Sequence, residues 1–124
     1  MKPVLVICAT FLMIANAYSE RCATPEEVRE RLISADYEWS VNEEVSLDGL
    51  LAVKNLYAVT IENYGEFVAC KYEGAQEYIR LDGASKKSKC PIQATSDNWF
   101  ISEGGQVVCD EDDNALCRFD SICR

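Results

Sequence analysis

Residues 56–81 read LYAVTIENYGEFVACKYEGAQEYIRL, and this stretch decides the fold class. Leu56 to Glu62 is rich in β-branched and aromatic residues, and Tyr64-Gly65 punctuates it. Glu66 to Glu73 follows, with Val68, Cys70 and Tyr72 on one face and Phe67 and Ala69 on the other. Gly74-Ala75-Gln76-Glu77 makes a second turn, and Tyr78 to Leu81 reads as a third strand closed by Asp82-Gly83. Three strands joined by short glycine-containing turns predict an antiparallel meander. The second strand is apolar on both faces, which predicts a central position.

Upstream, Thr24 can cap a helix, Pro25 suits its first position, and Glu27 stands where a capping box needs it. Val28 and Leu32 then share a face, so a helix is predicted from Pro25 to about Ser34, with Cys22 as its tether. Tyr37, Trp39 and Val41 alternate with polar residues and predict a half-buried strand. Val45 to Val53 is ambiguous. Asp48-Gly49 signals a turn, yet Leu47, Leu50 and Leu51 could form a helical turn capped by Ser46.

Downstream, Ala84 to Lys89 reads as a polar loop. Trp99-Phe100-Ile101 and Val107-Val108-Cys109 flank Gly104-Gly105, which predicts a hairpin with a two-residue turn. The tail beyond Cys109 reads as a loop ordered mainly by its disulfides. The architecture expected is α+β: a short N-terminal helix packed on an antiparallel sheet of about five or six strands, stapled by disulfides. An all-β sandwich or small barrel is the alternative.

The first residues have the three parts of a secretory signal: Lys2, an apolar run from Val4 to Ile14, and Ala15-Asn16-Ala17 as a small-x-small cleavage site. The run is about half the roughly 20 residues a membrane span needs. Cleavage after Ala17 discards residues 1–17, including Cys8, and leaves residues 18–124 as one domain with no membrane span. Six cysteines then remain: Cys22, Cys70, Cys90, Cys109, Cys117 and Cys123. An even number in an exported chain implies three bridges. Six cysteines allow 15 pairings. The preferred pair is Cys109–Cys117, which would pin a short loop. Export places the protein in the periplasm or outside the cell.

The chain carries 12 basic and 21 acidic side chains and no histidine, a formal net charge of −9. Such a surface repels a phosphate backbone, which excludes nucleic acid as a partner, and it favours a basic protein. Without histidine there is no Ser-His-Asp triad and no histidine base. No phosphate-binding or dinucleotide motif is present, and nothing calls for a cofactor. Zinc ligand spacing is absent. Asp110-Glu111-Asp112-Asp113-Asn114 begins like a calcium loop, but Ala115 stands where glycine belongs and Ser121 where a glutamate belongs. The four carboxylates Asp110, Glu111, Asp112 and Asp113 read instead as a displayed acidic loop and are the candidate binding residues. Carboxylate chemistry stays open: Glu38 beside Trp39 and Glu73 beside Tyr72 could serve a small glycan hydrolase.

The pattern Cys22…Pro25, Tyr37-x-Trp39, Leu56-Tyr57-Ala58, Phe67-Val68-Ala69-Cys70-Lys71-Tyr72-Glu73 and Ile79-x-Leu81 resembles a family of small exported bacterial proteins. Its most specific piece is the Cys-x-Tyr strand, and it spans about Cys22 to Pro91. The resemblance implies export and a disulfide-bearing, β-rich domain, and it implies no activity. The absence of an N-glycosylation sequon points the same way. The leading expectation is an exported acidic interaction domain, an inhibitor or ligand of a basic protein. The alternatives are the glycan hydrolase and a structural envelope protein.

Overall fold

The computed structural model describes residues 20–31, 33–34, 36–42, 45–86 and 89–123. Residues 1–17, expected to form a signal and containing Cys8, lie outside the described residues, as do Leu32, Lys87 and Ser88. The elements are α1 (Pro25–Glu30), β1 (Tyr37–Val41), α2 (Leu47–Leu51), β2 (Asn55–Glu62), β3 (Phe67–Glu73), β4 (Tyr78–Ser85), β5 (Ile92–Ala94), β6 (Trp99–Ile101), β7 (Val107–Cys109) and β8 (Phe119–Ser121). Six strands form one antiparallel sheet in the order β1-β4-β3-β2-β7-β6, and β5 pairs with β8 in a separate ribbon. The sheet is open, with β1 and β6 at its edges, so it does not close into a barrel.

The meander β2-β3-β4 forms because its sequence alternates and its turns are short. Directly opposed residues share a sheet face. Val59, Cys70 and Leu81 stand in one row, and Ile61, Val68 and Gly83 in the next. A bulge at Tyr57 keeps Leu56 on the face of Val59, opposite Tyr72. This face holds the core. It is covered by the Cys22–Ala23 segment, Val28 of α1, Val53, and Ile92 and Phe119 of the ribbon.

Three expectations about the strands and the tail need correction. β4 does not stop at Asp82-Gly83 but runs on to Ser85 and pairs with β1. Gly83 is a strand residue, and its missing side chain makes room for the Trp39 ring, which a Cβ would meet at 2.5 Å. The β6–β7 turn has three residues rather than two. Ser102 N–H donates to the Gln106 carbonyl, Gly105 N–H donates to Ser102, and only Gly105 of the glycine pair has positive φ. The tail is no simple loop. Residues 114–116 form a 3₁₀ turn, and β8 pairs with β5 and, through Phe119, with Glu20.

Among the described residues there are two short helices instead of one. In α1 the capping box is complete, with Glu27 N–H donating to Thr24 Oγ1 at 3.1 Å and Thr24 N–H to Glu27 Oε1 at 2.8 Å. The helix ends at Glu30, because Arg31 adopts a left-handed conformation. The ambiguous stretch becomes α2, capped by Ser46 Oγ.

Three disulfides tie the layers: Cys22–Cys70, Cys90–Cys123 and Cys109–Cys117. The first joins the segment before α1 to the central strand β3. Beside it the buried Tyr72 hydroxyl donates to the Ala23 carbonyl at 2.6 Å. Burial, reinforced by the Glu27 carboxylate, pushes this phenol well above the usual tyrosine range. Burial does the same to Tyr37, with Asp120, Glu20 and Asp36 adding to it.

A raised folded-state pKa means stability is present below the ordinary tyrosine value and falls as pH climbs above it. The fold is therefore expected to lose stability above about pH 10, where the unfolded tyrosines ionise. Tyr72→Phe should cost about 1 kcal/mol at neutral pH through the lost hydrogen bond, and its deficit should shrink in alkali. Urea denaturation of both proteins across that pH range checks the sign.

Candidate functional site

The four acidic residues singled out from sequence lie between β7 and β8, in the loop closed by Cys109–Cys117, whose Cα atoms are 5.7 Å apart. Two of them serve the loop itself. Asp113 Oδ1 accepts from Ala115 N–H at 2.9 Å and caps the 3₁₀ turn. Glu111 accepts from Asn98 Nδ2 at 3.5 Å. Asn114 is buried and donates to the Cys22 carbonyl at 2.7 Å, which moors the loop to the first disulfide. Asp110 and Asp112 are exposed. Among the described residues, no group of three His, Cys, Asp or Glu side chains is placed to hold a metal ion.

The carboxylates weighed for hydrolysis separate. Glu73 is exposed at the end of β3. Glu38 joins Glu66, Asp82, Trp39 and Phe67 around a cleft of about 360 Å³. Glu38 and Glu66 are exposed, and Asp82 is ion-paired with Arg80 Nε at 2.7 Å. A glycosidic acid needs an apolar enclosure to stay protonated, and none of the three has one.

A second depression was not foreseen from sequence. It lies at the end of the core face, between the β6–β7 hairpin and β5, with a volume of about 740 Å³. Ile61, Val107 and Ile101 stand opposite one another across three strands and share its floor face. Ile92 and Ala94 of β5 form the other wall, and Tyr64 borders it. Large apolar groups are open to water here: Ile101 is 74% exposed, Phe100 48%, and Tyr64 fully.

The β2–β3 turn that carries Tyr64 is strained. Asn63, Tyr64 and Gly65 all have positive φ, at 53°, 58° and 92°. A left-handed conformation costs a non-glycine residue about 1–2 kcal/mol, and such strain persists where the surroundings impose it. Gly65 supplies the constraint, because it is packed directly against the Ile92 backbone. Glu62 steadies the neighbouring hairpin by accepting from Gln106 Nε2 at 3.1 Å.

Every residue lining the groove is uncharged. The charged residues next to lining residues in the chain are Glu62, Glu66 and Glu103, all acidic. Sequence reading treated Tyr64-Gly65 as turn punctuation and Trp99-Phe100-Ile101 as an ordinary strand. The available signal was the unbroken apolar run in so short a strand, which leaves an apolar side chain on each face.

No family model matches this chain, and no curated protein or solved structure matches it. The site's own chemistry therefore carries the functional reading.

Proposed function

We propose that this chain is an exported, acidic, non-enzymatic interaction domain that holds a basic protein partner, acting as its ligand or inhibitor. The supporting observation is the open, uncharged groove, whose charged neighbours along the chain, Glu62, Glu66 and Glu103, are all acidic. An exposed apolar patch rimmed by polar residues is the usual mark of an interaction site. Three disulfides fit an oxidising compartment, and no helix among the described residues is long and apolar enough to cross a membrane. The disulfides accord with removal of residues 1–17 as a signal and with the resemblance to small exported bacterial proteins.

The test is retention of a partner from periplasmic or host extract on the immobilised protein. Ile101→Asp is expected to abolish retention, because it puts a charge into the groove at an exposed position the fold tolerates. Raising the salt should weaken retention. Asp110→Lys with Asp112→Lys should leave most of it. Loss in the loop variant alone would transfer the site to the acidic loop.

The glycan-hydrolase reading draws on the Glu38, Glu66 and Asp82 cleft with its two aromatic rings. Hydrolysis of a sugar polymer that Glu38→Gln abolishes would replace the interaction reading. A structural envelope role would show as lost envelope integrity on deletion, with no groove-dependent partner.

A further inference from the structure

We propose that the groove receives an extended peptide segment of alternating apolar and basic residues, which adds as a further strand to the open edge of β6. This rests on reading the groove as the functional site. Hydrogen bonds alternate in direction along an antiparallel pair. Because Ser102 N–H donates to the Gln106 carbonyl, Phe100 faces Val108, and the N–H and C=O groups of Trp99 and Ile101 point to the open edge. Natural edges are guarded by short strand length, lysine, proline, bulges or inward charge. β6, Trp99-Phe100-Ile101, is short but carries no charge and no proline, whereas the other edge strand, β1, displays Glu38 and Ser40. A strand laid beside β6 would place alternate side chains on the groove face, next to Ile101, and the others on the opposite face.

The rim selects the charge. Glu62, which accepts from the lining residue Gln106, and Glu66 and Glu103 adjoin the uncharged lining in the chain, and the chain as a whole carries −9. A second copy would bring the same glutamates and the same net charge to this edge. Like charges brought together oppose pairing, so a cationic strand is favoured over self-association.

The probe is an acetylated, amidated octapeptide alternating valine and lysine, titrated into the intact protein by calorimetry. Its controls are the valine–glutamate counterpart and two analogues N-methylated at the valines or at the lysines. The valine–lysine peptide is expected to bind about tenfold or more tighter than the glutamate form. At least one methylated analogue should lose about tenfold, because its pairing edge is blocked. Ile101→Asp, checked for a native circular dichroism spectrum, should abolish binding.

Equal binding of the lysine and glutamate peptides overturns the charge selection. Undiminished binding of both methylated analogues overturns strand addition while leaving the groove reading intact. Absence of peptide binding alongside Ile101-dependent partner retention from extract does the same. Binding that survives Ile101→Asp sinks both readings. A concentration-dependent dimer that Ile101→Asp dissolves makes a second copy the occupant and overturns the cationic peptide.

Discussion

Replacing Cys22 and Cys70 together by alanine is expected to lower the unfolding free energy by about 4 kcal/mol, from the chain entropy of a 48-residue loop. Small domains hold roughly 5–15 kcal/mol in all, so much of the native population at elevated temperature would be lost. The bridge joins the covering layer to the central strand, and both cysteines are fully buried. Its loss also loosens two hydrogen bonds made beside it, Tyr72 to Ala23 and Asn114 to the Cys22 carbonyl. The Cys109–Cys117 bridge spans only 8 residues and should contribute about 2.5 kcal/mol. The Cys90–Cys123 bridge, spanning 33, falls between them. Urea denaturation of the three double-alanine variants tests the order. A larger loss for the 8-residue bridge than for the 48-residue one would show that native packing, and not loop entropy, governs their effect.

Gly65→Ala is expected to cost about 3 kcal/mol, combining left-handed strain with overpacking. An added Cβ would lie 2.8 Å from both the nitrogen and the oxygen of Ile92 and 2.9 Å from Pro91 Cβ. Two of these three atoms belong to backbone, which cannot turn aside as a flexible side chain would. The β2–β3 turn must therefore leave β5, and Tyr64 leaves the groove with it. Peptide affinity should fall along with stability. Gly105→Ala is the control: its φ is +83°, and no atom lies within 4 Å of an added Cβ. It should cost only the strain, about 1 kcal/mol. Equal losses at the two positions would mean that the Gly65–Ile92 contact does not constrain the turn.

The parts of the fold legible in sequence are those set by neighbours in the chain. The capping box at Thr24 and Glu27 is a local arrangement, and so is the pair of apolar faces that makes β3 central. Ser46 capping α2 was visible as one of two possibilities. Asp82-Gly83 reads locally as a turn, because a glycine after aspartate carries that signal. The actual role of Gly83 depends on Trp39, far off in sequence, whose ring lies over it. The groove escaped notice for the same reason. Its lining comes from residues 61–65, 92–94 and 99–107, which become neighbours only once β7 lies beside β2 and the β5–β8 ribbon covers the core face. The acidic loop was conspicuous as composition, yet nothing local revealed that Asp113 would cap a turn or that Asn114 would be buried against Cys22.

Residue type and local spacing by themselves determined the antiparallel meander, the first helix start, the acid excess and a cysteine set able to form three bridges. These follow from preferences acting over a few residues, where side-chain periodicity and backbone capping decide. The tertiary structure alone decided that β4 continues to pair with β1, which cysteines meet across 48 and 33 residues, and that an uncharged groove opens beside an open strand edge. Those features depend on distant segments burying apolar surface against one another, and the energy of that burial is not encoded in any single stretch of chain.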